Sequence, residues 1–134
     1  MARALTASRY GADFSAASLW EVERFFDEHA PYGQARPEGL LGEQLGLRLF
    51  GLGGYVGEVL RRQVGGRWHG NDEDPSAEIN VALQLSDGSV VWPVQRVMRR
   101  FQNGREDCVV VYAAAVGVSA GPRPRPRRDF RRGR

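Results

Sequence analysis

The densest group of potential metal ligands lies in residues 69–74, HGNDED. One imidazole and several carboxylates could hold a divalent cation. The spacing is not that of an EF-hand loop, because the required glycine and the distal glutamate are missing. We therefore expect a solvated acidic loop between two strands, and we predict no metal site.

A second candidate is the glycine-rich stretch 51–57, GLGGYVG, followed by Glu58. The dinucleotide-binding fingerprint needs a glycine where this chain has Val56, no strand precedes the stretch, and no GK[ST] follows it. Glycines that allow close packing are the favoured interpretation. Glu58 is a candidate functional carboxylate, but an i,i+3 or i,i+4 ion pair with Arg61 or Arg62 is favoured.

No other spacing points to catalysis. His29 and His69 are the only histidines, and no Ser/His/Asp or Cys/His arrangement is suggested. Cys108 is the single cysteine, which excludes an intramolecular disulfide and a cysteine-rich zinc site. It lies in an apolar run, so we expect it to be buried and inert. The sequence favours a non-enzymatic protein and predicts no catalytic residue and no cofactor.

The clearest functional signal is the arginine-rich segment 121–134, GPRPRPRRDFRRGR. Guanidinium groups on such a segment suit phosphates, and Phe130 could stack on an exposed base. The same segment could instead bind anionic lipid, fold back on an acidic remainder, or only solubilise the protein. The residues predicted to bind a polyanion are Arg123, Arg125, Arg127, Arg128, Arg131, Arg132 and Arg134, with Arg96, Arg99 and Arg100 as an extension.

Charge is divided unevenly along the 134 residues. Residues 1–120 hold 12 Arg and 15 Asp or Glu, a net −3, whereas residues 121–134 hold 7 Arg and one Asp, a net +6. The positive balance is therefore a property of the C-terminal segment. The chain does not open on a long apolar stretch, and its longest apolar run, 108–118, is too short to cross a bilayer. We expect a cytoplasmic protein with no transmembrane segment.

The chain is organised around a predicted helix over residues 42–64. In and just before this stretch, the apolar residues recur at steps of three or four, namely Leu41, Leu45, Leu49, Leu52, Val56, Leu60 and Val64. Beside them runs a stripe of Gly42, Gly46, Gly53 and Gly57. Each helical glycine costs about 1 kcal/mol relative to alanine, so the stripe predicts that a backbone or an aromatic ring packs closely against it. A single helix with a weak point at 51–54 is favoured over two helices.

The remaining elements follow from caps and periodicity. Ser15 can cap a first helix that ends near Ala30, with Ser18 as a competing cap. Its apolar face is expected to bury Leu19, Val22 and Phe26, while Glu21, Glu23, Arg24, Asp27 and Glu28 face water. Strands are predicted at 67–69, 78–85 and 90–92. Asp87 and Gly88 predict a hairpin turn in which both residues have positive φ.

Pro93 suits the start of another helix, which ends at Asn103 and Gly104. Val94, Val97, Met98 and Phe101 form its apolar stripe, with Arg96, Arg99 and Arg100 on the other side. Residues 108–116 suit a helix or a buried strand, and helix is chosen. The predicted fold is α+β, a three-stranded antiparallel sheet packed against three or four helices. The predicted organisation is a flexible N-terminus (1–13), one domain (14–118) and a disordered basic tail (119–134).

Several motifs together resemble a type of small bacterial domain of unknown function. They are the helix motif GGYVGEVL at 53–60, the strand entry GGRW at 65–68, and Trp92-Pro93 followed by Arg99-Arg100. The resemblance covers about residues 40–116 and implies an α+β fold with a helix after Asp107. It implies no catalytic or ligand residues.

The function predicted from the sequence is that of a small non-enzymatic binding or interaction protein. Its partner is an unknown protein or a nucleic acid, and a homo-oligomer is possible. The alternative is an RNA- or DNA-binding protein that acts through the arginine-rich C-terminal segment.

Overall fold

The computed structural model describes residues 10–30, 33–35, 44–70 and 81–124. The helices in these ranges are α1 (Leu19–His29), α2 (Leu45–Val64), α3 (Pro93–Asn103) and α4 (Val109–Ala115). The strands are β1 (Gly66–His69), β2 (Ala82–Leu85) and β3 (Val90–Val91). Single 3-10 turns at Ala16–Ser18 and Gly104–Asp107 lead into α1 and α4. The predicted α+β fold is confirmed, and residues 108–116 contain the helix that was chosen over a strand.

The first cap is made by Ser15. Its side-chain oxygen accepts the backbone N–H of Ser18 at 3.2 Å, which satisfies a donor at the start of the helical segment. Ser18 itself makes no capping bond. Its hydroxyl lies 2.6 Å from the Ser15 carbonyl and 2.7 Å from the hydroxyl of Tyr55 in α2. The competing residue therefore ties α1 to α2 instead of capping α1.

Other parts of the chain pack closely against the glycine face of α2 at two positions. A Cβ added to Gly53 would lie 2.5 Å from the Cα of Val94, at the start of α3. A Cβ added to Gly57 would lie 2.1 Å from Cη2 of the Trp68 ring in β1. At Gly46 nothing lies within 4 Å, and Gly42 is outside the described residues. The prediction of a backbone and an aromatic ring against this face is thus confirmed at Gly53 and Gly57, and α2 is one helix.

The three strands form one antiparallel sheet in the order β1-β2-β3. Trp68 pairs with Leu83, and Leu83 pairs with Val91. Leu83, Leu85 and Val91 are buried on the side that contacts α2, whereas Gln84 is exposed on the other side. The alternation predicted for residues 78–85 is confirmed from residue 82 onward, and 78–80 lie outside the described residues.

The β2–β3 turn differs from the predicted type. The N–H of Gly88 donates to the Leu85 carbonyl at 2.9 Å, and the Leu85 N–H donates to the Ser89 carbonyl at 2.8 Å. Gly88 has φ +91°, but Asp87 does not have positive φ. The hairpin is confirmed, and the two-residue turn is wrong. Ser86 joins Asp87 and Gly88 in a three-residue loop that places only the glycine in the left-handed region.

Residues near both ends of the described range are packed against the core. Tyr10 is buried against the Phe25 ring at 5.4 Å, so residues just before 14 belong to the packed part. Near the other end Ala120 is buried, and Trp20 Nε1 donates to the Gly121 carbonyl at 3.1 Å. The domain boundaries at 13 and 118 stay a prediction, and these contacts lie just outside them. Residues 1–9 and 125–134 lie outside the described residues.

Within the described ranges, none of the helices combines the length and apolar character needed to cross a bilayer. Cys108 directly precedes α4 and is half-buried. This burial raises the pKa of its thiol and disfavours the reactive thiolate.

Candidate functional site

Glu58 is held by side chains from two elements. Arg61 donates from Nε to Oε1 at 2.7 Å and from Nη2 to Oε2 at 3.1 Å, and Trp68 Nε1 donates to Oε1 at 2.8 Å. The Arg61 hydrogen bond lowers the pKa of Glu58 to about 2, with help from Trp68 and against the effect of partial burial. The predicted i,i+3 ion pair is confirmed. The carboxylate is ionised at neutral pH, and it positions Trp68 across the α2–β1 junction.

This pKa predicts how Glu58→Gln changes stability with pH. Because the folded state favours the ionised carboxylate, its stabilisation is complete above the ordinary pKa of 4.5 and is lost as pH falls toward about 2. Near neutral pH we expect the variant to lose about 1 kcal/mol of unfolding free energy, since the pair is partly exposed. Urea unfolding of both proteins across this pH range measures the difference.

Glu106→Gln is the control for net charge, because it removes an exposed carboxylate. A wild-type advantage that grows as pH falls from 4.5 would contradict the geometry around Glu58.

A second ion pair is buried between α1 and α3. Arg100 Nε donates to Glu23 Oε1 at 2.9 Å, and the two residues are 2% and 3% exposed. The other Glu23 oxygen accepts the backbone N–H of Val109 at 2.9 Å, at the start of α4. The expectation that Glu23 faces water is wrong, and Arg100, predicted on the side of α3 away from its apolar stripe, is buried as well. Arg100 joins α3 to α1, and Glu23 extends the contact to α4.

The sequence contains a signal for this pair. Glu23 lies four residues after Leu19 and three before Phe26, which places it within the apolar stripe of α1. Arg100 follows Val97 by three residues, in the same position relative to the stripe of α3. Two opposite charges, each at a core position of its helix, indicate a buried pair, since isolated charges are rarely buried.

Asp27 receives three guanidinium groups. Arg100 donates to Oδ1 at 3.0 Å, Arg105 donates to both oxygens at 3.1 and 2.9 Å, and Arg123 approaches Oδ2 at 3.6 Å. Partial burial acts to raise the pKa of Asp27, but these hydrogen bonds, led by that of Arg105, hold it below its usual value. The Arg123 guanidinium also lies 5.5 Å from the Trp20 ring. Trp20 and Asp27 thus attach the start of the arginine-rich segment to α1.

The remaining predicted site residues are dispersed. Arg96 pairs with Asp107 at 3.1 Å and lies over the Tyr112 ring at 4.5 Å, while Arg99 is exposed on α3. Together with the buried Arg100 and the α1-bound Arg123, they do not form one continuous patch. The others lie outside the described residues: Arg125, Arg127, Arg128, Arg131, Arg132 and Arg134.

The group of potential metal ligands at residues 69–74 is only partly described. His69 Nε2 lies 3.1 Å from Oε1 of Gln84 on the neighbouring strand, and residues 71–74 are outside the described ranges. Among the described residues, no three His, Cys, Asp or Glu side chains gather in a way that could hold a metal ion.

The side of the sheet that faces away from α2, here called the open sheet face, was not singled out by sequence reasoning. The strand register places Arg67, Gln84 and Val90 in one row across the three strands. Val90 and Trp92 are each 44% exposed. A depression of about 310 Å³ begins in this row and is lined by Gly66, Arg67, Gln84, Leu85 and Ser86. The alternation of exposed residues at 67, 69, 84, 90 and 92 is the signal that could have identified this face.

Comparisons with protein-family models, curated protein sequences and solved structures give no match for this chain. The resemblance to a small bacterial domain of unknown function therefore stays a prediction.

Proposed function

We propose that the protein is a small non-enzymatic binding protein, and that the partner its charges suit best is a nucleic acid bound through the arginine-rich C-terminal segment. One observation carries the proposal. Six of the nine carboxylates in the described part pair with the chain's own arginines, as Glu58 does with Arg61, Glu23 with Arg100 and Asp107 with Arg96. By contrast, residues 125–134 contain six arginines and one aspartate.

This contrast supports phosphate binding by the segment. A cation already paired with a carboxylate has little to gain from a phosphate, whereas a run of arginines with one acid keeps its excess charge for a partner. Binding that releases counterions from a phosphate backbone is steeply salt-dependent. Arg123, although near Asp27, is 56% exposed and at 3.6 Å makes a weak pair, so it is accessible to phosphate as well.

A full-length variant with the six arginines of 125–134 changed to glutamine tests the proposal. We expect wild-type protein to bind a short oligouridine by fluorescence anisotropy, with log K falling against log salt by about 0.7 for each neutralised phosphate. The variant should lose most of this binding and most of the salt dependence. A variant with the residues of this segment in scrambled order keeps the charge and should bind as the wild type does.

If the wild type and the glutamine variant bind oligouridine equally weakly, the nucleic-acid proposal is contradicted. A protein partner is the second candidate. It is favoured by the exposed apolar side chains of Val111 on α4 and Leu47 on α2, which are 69% and 65% exposed.

A further inference from the structure

The open sheet face ends at an exposed aromatic ring, that of Trp92. Trp92 lies at the end of β3, where its carbonyl accepts the Arg96 N–H at 3.1 Å and starts α3. Pro93 follows directly at the start of α3. The backbone of Trp92 is therefore held at the start of α3, while its side chain is 44% exposed. An exposed indole is a surface on which a planar group can stack.

Among the described residues of this face, the one charged side chain is that of Arg67. Arg67 is exposed, and among the described residues no carboxylate lies within ion-pair distance of its guanidinium. The register places it opposite Gln84 and two strands away from Val90, a distance of about 10 Å. The described residues of the face beside it are His69, Ala82, Gln84, Val90 and Trp92, none of which is acidic. The face therefore complements an anionic ligand that also has an apolar, planar part.

Gln84 provides hydrogen-bonding groups between the cation and the ring. His69 Nε2 lies 3.1 Å from its Oε1. When His69 donates this bond, the Gln84 amide keeps both N–H donors for a ligand. The depression beside Arg67 adds the Ser86 hydroxyl as a further polar group. Base edges present both donors and acceptors, so a fixed amide beside a stacking ring suits them.

We propose that the open sheet face binds a single strand of nucleic acid, with Trp92 stacked on a base and Arg67 paired with a phosphate. This inference rests on the proposed function and adds a second contact to the arginine-rich segment. A single strand is specified because its bases are free to stack, whereas the bases of a duplex are paired and stacked within the helix. A flat three-stranded face also lacks the projecting helix or ribbon that enters a major groove.

The test measures binding of oligouridine and oligothymidine to the full-length protein and to Trp92→Ala, Trp92→Phe and Arg67→Gln. We expect Trp92→Ala to weaken binding by about 5- to 100-fold, the range of one lost base stack, and Trp92→Phe to recover part of it. Arg67→Gln should reduce the salt slope by about 0.7. Duplex DNA should show no difference between wild type and Trp92→Ala.

Matched controls are Leu47→Ala, an exposed apolar residue on α2, and Arg99→Gln, an exposed arginine on α3. The proposal is overturned if Trp92→Ala binds like wild type, or if Arg99→Gln and Arg67→Gln lower the salt slope equally. It is also overturned if the part of the ligand-free tryptophan fluorescence that Trp92→Phe removes changes when the six arginines of 125–134 become glutamine, since the segment itself would then occupy the face. If Trp92→Ala does not fold, Arg67→Gln still tests the proposal. Arg67 lies on the surface, so its substitution should leave the fold intact.

The two proposals fail in distinguishable ways. If wild-type binding depends on the six arginines but not on Trp92 or Arg67, the proposal for the arginine-rich segment stands and the proposal for the open sheet face is wrong. No binding by the wild type removes both.

Discussion

Arg100→Met is expected to lower the free energy of unfolding by about 3–5 kcal/mol, the usual loss when one partner of a buried ion pair is removed. The reason is Glu23, which would be left 3% exposed without its guanidinium partner. The methionine also cannot reach Asp27, so the α1–α3 contact loses a second hydrogen bond. Urea unfolding measures the loss, and an unchanged m-value would show that the same surface is still buried.

Arg99→Met is the matched control, because it makes the same substitution one residue earlier on the exposed side of α3. Its effect should stay within about 0.5 kcal/mol. Glu23→Gln combined with Arg100→Met should recover part of the loss, since glutamine removes the charge but keeps an acceptor for the Val109 N–H. Equal effects of Arg99→Met and Arg100→Met would mean that the pair is not buried.

Gly53→Ala and Gly54→Ala should change stability in opposite directions although they are adjacent in α2. At Gly53 the new methyl would lie 2.5 Å from the Val94 Cα and 2.7 Å from its Cγ2, so α3 must move. We expect a net loss of about 1–3 kcal/mol, even after the helical preference for alanine is included. At Gly54 nothing lies within 4 Å, so the same change should raise the free energy of unfolding by up to about 1 kcal/mol.

The comparison is internal, because both variants gain the same methyl group in the same helix. Thermal and urea unfolding of the two proteins give the sign of each change. If both variants are stabilised, α2 and α3 are not in the close contact described for Gly53. Gly57→Ala adds a further case, since its methyl would meet the Trp68 ring, which Glu58 holds in place.

The elements were predictable because their signals are local. The stripe of α2, the Ser15 cap and the hairpin at Asp87 and Gly88 each lie within a few residues, and the structure confirms all three elements. The type of turn was not predictable, because Asp-Gly fits both a two-residue and a three-residue loop.

The contacts that join distant elements were harder to predict. Glu23 and Arg100 are 77 residues apart, and each alone reads as a solvent-facing charge on an amphipathic helix. The row of Arg67, Gln84 and Val90 on the open sheet face was missed for a similar reason. Arg67 and Val90 come together only through β2, so their proximity depends on a register that no short stretch of sequence contains.

The attachment of residues 121 and 123 to Trp20 and Asp27 gives the arginine-rich segment a fixed origin on α1. Each arginine from 125 to 134 is at most ten residues from Pro124, so chain length keeps it within about 33–36 Å of this origin. A ligand held by the arginine-rich segment would stay near the folded part at a high effective concentration, and two individually weak contacts could then combine into useful avidity. Loss of the Trp20 contact would lengthen the reach of the arginine-rich segment. The effective concentration of the ligand would then fall, although every arginine would remain.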